Sequence, residues 1–374
     1  MKDPLMVRMA YRFLLGRDPE SKSLLEMEFN SIDALRDTIL YSHEFRLIAE
    51  SVLSAGGVHV ETSYLKYLGK NKIMQLSGLL EGDEELLQKY ADNDATALAG
   101  YYTDFMGVHI SPKALPYLHE RVDIVSSRLP IPDDAVHAEA IEYCALLQAV
   151  ENAGKSSFVM LELGAGWGPW MIYAAKACKK RGIENVTVIG VEGEQSKIPL
   201  IKEALTINNL RNDHDALIQK YDNIETRIIH GVVAEHDGFA DFEIVPEDHY
   251  GASLLNAKSD KTKDFTKVPS FTLDVLLRDF DSVDFIHIDI QGYEQRVIES
   301  SISTLNKKLR YICVGTHSRK IEGDLIALLS SNNWKLLRET PCLFNKHIQP
   351  NSDMLVSNTT LDGVQFWVNC HLNR

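Results

Sequence analysis

The chain has 374 residues, 45% of them hydrophobic, and its 39 Lys plus Arg against 53 Asp plus Glu leave a formal charge of −14. That usage belongs to a soluble globular protein long enough to bury a full core, and it excludes disordered, collagen-like and disulfide-scaffold chains. The acidic balance disfavours nucleic acid, which needs a concentrated positive face, and suits a cationic ligand.

In chain order, residues 1–57 read as a helical domain. Leu5, Met6, Met9, Phe13 and Leu14 recur at helical spacing, Asp18-Pro19-Glu20 breaks the run, and a second amphipathic stretch covers Ile32 to Ile48 before Gly56-Gly57. Residues 58–129 read as a connecting region of short helices around Tyr64–Leu68, Glu84–Tyr90 and Ala95–Phe105. From residue 130 to 374 the pattern changes. Pro130 to Asp134 starts a helix running through Ala138, Ile141, Cys144, Leu147 and Val150. Short apolar runs then alternate with helical patterns. The runs are Phe158–Leu163, Thr187–Val191, Arg227–Val233, Phe285–Ile290, Tyr311–Val314, Trp334–Leu337 and Val364–Val368. The helices are Met171–Lys180, Ile198–Leu210, Leu273–Phe280, Glu294–Leu305 and Ile321–Leu329. This alternation predicts an α/β fold with a parallel sheet covered on both faces, closed by two final strands. The polar stretch Ala234–Ser270 reads as a long loop and a candidate substrate lid.

Five scattered cysteines, Cys144, Cys178, Cys313, Cys342 and Cys370, contain no CxxC pair and predict reduced thiols in a cytoplasmic setting. No run approaches the ~20 apolar residues of a membrane span. The N-terminal MKDPLMVRMAYRF is too polar for a signal peptide.

The strongest chemical signal is the segment Phe158 to Pro169, FVMLELGAGWGP: a buried strand, a glycine turn, and a helix with proline at its first position. Small residues there let backbone approach a ligand, and the amides of the helix start favour an anionic group. The third glycine of a dinucleotide fingerprint would fall at Pro169, which argues against a nicotinamide or flavin site. Glu162, two residues before Gly164, would repel a pyrophosphate but attract an amino group or a sulfonium. Glu192, at the end of the next strand, can accept both hydroxyls of a ribose. Together they describe a pocket for S-adenosylmethionine, a cationic, ribose-bearing ligand that contains an amino acid.

A second constellation lies at later strand ends. Residues 287–294, HIDIQGYE, put Asp289 and the Gln291-Gly292 turn at the same crevice as Gly164, and His317 ends the following strand. A carboxylate and an imidazole converging there form a candidate acid–base pair.

With these motifs, LELGAGWGPW, HIDIQGYE, VGTHSRKIE and DGVQFWVN, residues 158–369 resemble the FkbM-type family of S-adenosylmethionine-dependent methyltransferases. Val7–Arg46, with AYRFLLGRDPE and SHEFR, resembles a small helical domain of unassigned role found in bacterial surface-polysaccharide proteins. The family resemblance implies a class I methyltransferase, Rossmann-like fold with a seven-stranded sheet in the order 3-2-1-4-5-7-6, and O-methylation of a small-molecule or sugar hydroxyl. Under it, the backbone of Gly164, Gly166 and Gly168 contacts the methionine half of S-adenosylmethionine, Ala165 and Trp167 belong to the cofactor site, with Trp167 or Trp170 as a wall of the pocket, and Glu162 holds the ammonium directly or through water. Glu192 and Gly193 serve the ribose, Val232 and Val233 flank the adenine, and Asp289 is a catalytic or cofactor contact. His317 is the preferred general base, with Glu294 its competitor. Asp289 and His317 offer too few oxygen ligands at helpful spacing to predict a metal. The expected partner is the hydroxyl acceptor alone, without nucleic acid or a membrane span; a homo-oligomer or a glycan-synthesis complex stays open. The alternative reading is a catalytically silent module of the same fold that binds within such a complex.

Overall fold

A computed structural model of the chain describes residues 78–213, 215–243, 254, 264–344 and 359–372, together with Pro4, Val7 and Tyr11. The chain forms two compact units, Met1–Lys72 and Ile73–Arg374. The helical domain expected at residues 1–57 lies outside the described residues, apart from Pro4, Val7 and Tyr11, which are helical.

The larger unit takes in residues expected to form a separate connecting region. Leu79, Leu87, Tyr102, Val108 and Leu118 are buried in one cluster with Ile141, Phe158 and Tyr173. Helix α1 (Asp83–Tyr90) is fastened to the far edge of the sheet by a buried two-pronged ion pair. Arg338 Nη2 lies 2.6 Å from Asp83 Oδ1 and Nε lies 3.0 Å from Oδ2. The helix expected at Ala95–Phe105 does not form. Asp104 Oδ1 accepts the backbone N–H of Met106 and Val108 at 2.9 and 2.8 Å, so its side chain competes with helical bonding and closes a turn instead. Helix α2 (Ala140–Glu151) begins later than expected for a related reason. Asp134 Oδ1 gathers the amides of Val136, His137 and Ala138, and Glu139 and Glu142 then form a capping box.

Eight strands make the main sheet: β1 (Phe158–Leu163), β2 (Val186–Glu192), β3 (Ile218–Tyr221), β4 (Ile224–His230), β5 (Val283–Ile288), β6 (Leu309–Thr316), β7 (Trp334–Thr340) and β8 (Gly363–Asn369). Their spatial order is β7-β8-β6-β5-β1-β2-β4-β3. The five central strands run parallel, while β8 is antiparallel to both β6 and β7. The expected seven strands are joined by an eighth, β3, which pairs antiparallel with β4 at the edge. Residues on one sheet face, such as Met160, pack with helices α2 and α3 (Pro169–Arg181), including Tyr143 and Ile172. Residues on the other, such as Leu161 and Ile286, pack against Val297, Leu305 and Leu325. Those three belong to α5 (Glu294–Ser300), α6 (Ile302–Lys308) and α7 (Arg319–Ser331), α4 being Ile198–Ile207.

The run expected as one strand over Arg227–Val233 bends at Gly231, where a Cβ would meet the carbonyl oxygen of Pro269 at 2.7 Å. Val232–Val233 then joins a small separate sheet with Phe265–Phe271 and Gly238–Glu243. The segment Ala234–Ser270 is therefore not one loop; its residues 244–253 and 255–263 lie outside the described residues. No helix among the described residues is long and apolar enough to cross a membrane.

Candidate active site

The order of the parallel strands reverses at β1, whose neighbours are β2 on one side and β5 on the other. The carboxyl ends of such strands are where open α/β sheets leave a crevice. Gly164, Gly166 and Gly168, in the turn from β1 to α3, all have left-handed φ values, of 79°, 56° and 79°. At Gly164 the requirement is absolute: a Cβ would lie 1.9 Å from the carbonyl oxygen of Asp289. Two strand tips thus meet at van der Waals distance.

The residue at the N-cap of α3 is Gly168, so no side chain there can satisfy the first helical amides. Glu162 does so from the neighbouring strand. Its Oε1 accepts the N–H of Trp170 at 3.2 Å and its Oε2 that of Met171 at 2.9 Å. Burial drives its acidity well below that of an ordinary carboxyl, raising the pKa, and the two amides only partly oppose this. Glu162 is 1% exposed and does not line the cleft. It is expected to hold a ligand ammonium directly or through water; here each of its oxygens accepts one amide of the helix start.

The cleft itself has a volume of about 130 Å³. Of the residues expected to contact a ligand, Gly164, Gly166, Glu192, Gly193, Val232, Val233 and Asp289 line it. Ala165, Trp167 and Gly168 do not. Glu192 Oε2 accepts the N–H of Gly166 and Oε1 that of Glu194, both at 2.7 Å, which fixes the carboxylate across the floor of the cleft. Burial pushes its pKa up to about 7, against the pull of these two amides. Phe242, Leu254 and Lys197 also line the cleft, and none of them was foreseen. Phe242 belongs to the small sheet and would press within 2.9 Å of any side chain at Gly193. Lys197 is 1% exposed, and its charge lowers the pKa of Glu192.

Asp289 stands where this cleft meets the tips of β5 and β6. Its side chain is 44% exposed, whereas those of His317 and Glu294 are 5% and 0% exposed. His317 Nδ1 lies 2.9 Å from Glu294 Oε1, and Nε2 lies 3.3 Å from Asp289 Oδ1 and 3.9 Å from Asp362 Oδ2. Burial alone would lower the imidazole pKa, but hydrogen bonds to Asp289 and Glu294 outweigh it and raise the pKa well above the usual value. At Asp289 the loss of water raises the pKa, and the bond to His317 and its charge bring the net value below the ordinary one. Of the three catalytic candidates only Asp289 lines the cleft. Of the two residues expected as general base, His317 is held between carboxylates and Glu294 is sealed from the cleft. Asp289, Glu294 and His317 offer ligand atoms within 4.8 Å of one another, and hydrogen bonding among them accounts for that closeness.

Residues 162–333 match the model of the Methyltransferase FkbM domain. A protein of Jannaschia sp. (strain CCS1) carrying the name "Putative methyltransferase" is 30% identical over 266 residues, covering 69% of this chain and 90% of its own. The chain belongs to the FkbM methyltransferase family. Among solved structures, precorrin-6y C5,15-methyltransferase from Geobacter metallireducens GS-15 superposes with a TM-score of 0.33 at 10% identity, over 62% of this chain and 90% of that one. The human methyltransferase 10 domain containing protein gives a TM-score of 0.33 at 11% identity, over 70% of this chain and 89% of that one.

In this FkbM methyltransferase the two tryptophans of the glycine segment pack inward. Trp167 meets His137 edge-on at 5.3 Å, and Trp170 meets Tyr143 at 5.2 Å and His287 at 5.0 Å. The polar side of that cluster is closed by Tyr173 Oη donating to Asp104 at 2.5 Å and Tyr143 Oη donating to Asp134 at 2.8 Å. Segment 78–139 thereby braces the helix that follows the glycine turn. Trp167, expected in the cofactor site, packs against His137 and does not line the cleft.

Proposed function

We propose that this methyltransferase uses S-adenosylmethionine to methylate a hydroxyl of a small molecule or sugar. The observation that carries this reading is the cleft in which a buried carboxylate, Glu192, spans from Gly166 to Glu194 beside a side-chain-free turn. Glu192 would accept the ribose hydroxyls, and the apolar wall of Val232, Phe242 and Leu254 suits an adenine ring. Gly164 and Gly166 line the cleft where the amino-acid half would lie. When bound, the sulfonium supplies an electrophilic methyl carbon. The protein's part is chiefly to hold the reacting groups in line, which accounts for most of the rate available to such a displacement. Asp289, polar and half-exposed at the edge of the cleft, suits a hydroxyl acceptor that must lose a proton.

Isothermal titration with S-adenosylhomocysteine tests the reading. Micromolar binding is expected, and Gly166→Asp should abolish it by placing a second carboxylate against Glu192. Undiminished binding in that variant would remove the assigned pocket.

A further inference from the structure

We propose that His317 is a positioning residue, a permanently charged imidazolium clamped between Glu294 and Asp289, and that the proton leaving the acceptor hydroxyl passes to Asp289. The inference rests on the proposed methyl transfer for the second half only. The clamp is a matter of geometry.

Its foundation is Glu294, which is fully buried. One oxygen, Oε1, collects the backbone N–H of Ile290 at 3.3 Å and of Gly292 at 2.9 Å, as well as His317 Nδ1 at 2.9 Å. The turn it ties together is demanding, with Gln291 and Gly292 both left-handed at φ 53° and 99°. The same carboxylate therefore fixes both the turn that follows Asp289 and the ring that faces Asp289. Three carboxylates from separate elements face that ring: Asp289 after β5, Glu294 at the start of α5, and Asp362 before β8. A neutral imidazole would have to present a lone pair to one of the two nearest carboxylates, at 2.9 or 3.3 Å; a doubly protonated one donates to Glu294 and brings its second N–H into ion-pair range of Asp289. Asp289 is also held through its backbone, with its N–H on Leu163 and its carbonyl against Gly164, and Gln291 Nε2 donates to its Oδ1 at 3.4 Å. Its carboxylate is the part the clamp orients.

This assignment suits the chemistry. As a lone pair of the acceptor oxygen forms the bond to the methyl carbon, the carbon–sulfur pair stays on sulfur. The O–H proton is then carried by an oxygen turning cationic. Such a proton is acidic enough for an ordinary carboxylate to take, and it leaves Asp289 for solvent afterwards. The reaction does not need a neutral histidine.

Nuclear magnetic resonance of the full chain, labelled with ¹⁵N-histidine, gives a direct test. The His317 signals are identified by their loss in His317→Gln. Both ring nitrogens should carry protons at pH 8, and Asp289→Asn or Asp362→Asn should move the titration down, by about one pH unit or more for the former. In His317→Gln the Asp289 carboxyl, followed by ¹³C, should titrate about one unit higher. A His317 that is neutral at pH 7.5, or an Asp289 titration unmoved by His317→Gln, would overturn the proposal. Titration with S-adenosylhomocysteine is run on the same samples: a charged His317 in a protein that does not bind it sinks the proposed methyl transfer and, with it, the route of the proton, leaving the clamp.

Discussion

Gly164→Ala adds one methyl group at the point where the tips of β1 and β5 touch. The new carbon would lie 1.9 Å from the Asp289 carbonyl oxygen, whereas real contacts essentially never fall below 3.0 Å. The tips must part by at least 3.0 − 1.9 = 1.1 Å. That opening strains the bond from Asp289 N to Leu163 O, now 2.9 Å long; such a bond is worth about 1 kcal/mol net. A left-handed alanine, at φ 79°, costs about 1–2 kcal/mol more. The larger unit should lose about 2–3 kcal/mol, read by scanning calorimetry or urea unfolding. Function should suffer more, because misplacing a reacting group by about 1 Å costs on the order of 100-fold in rate. The check pairs titration with S-adenosylhomocysteine and turnover on whichever acceptor is found. A variant that melts with the parent and binds within threefold of it would refute the claim that the two tips are in contact.

Three further outcomes are expected. Gly323→Ala, in α7 with nothing within 4 Å of the new carbon, should stabilise the protein by about 0.5–1 kcal/mol and leave ligand affinity alone; chemical denaturation reads both this and the Gly164 variant. Glu192, with its pKa pushed up to about 7 by burial, gains its charge only as pH rises through that value. Ligand affinity should therefore climb about tenfold from pH 6 to 8, with no such climb in Glu192→Gln, while the free protein loses this group's contribution to stability as pH rises from the ordinary carboxyl range through 7. Arg338→Met leaves Asp83 buried without its guanidinium and should cost about 3–5 kcal/mol, seen as a lower unfolding midpoint.

What could be read from the residues, and what could not, follows from exposure. Strands β1, β2, β5 and β6 are buried on both faces and appear as mainly apolar runs. Strand β3 is short, and Ile218, Lys220 and Tyr221 face solvent, so no pattern marks it. Phe242 was hidden in a polar stretch because the small sheet that carries it is made by pairing with distant residues. Glu162 is more instructive. An acid at a strand tip can serve a ligand or a helix start, and spacing alone does not say which. The available clue was Gly168, which leaves the helix with no cap of its own. The roles of His317 and Glu294 depended on a third partner, the amides of the Gln291-Gly292 turn, whose convergence on one oxygen only folding reveals. Residues 78–129 pack into the larger unit because Asp83, Asp104 and Leu118 find their partners far along the sequence.

The most direct measurement of the central claim is a crystal structure with S-adenosylhomocysteine bound. The account predicts both ribose hydroxyls on the Glu192 carboxylate, adenine between Val232 and Phe242, and the sulfur turned toward Asp289. A ligand seated elsewhere, or Glu192 swung out of the cleft with its hold on Gly166 broken, would contradict it.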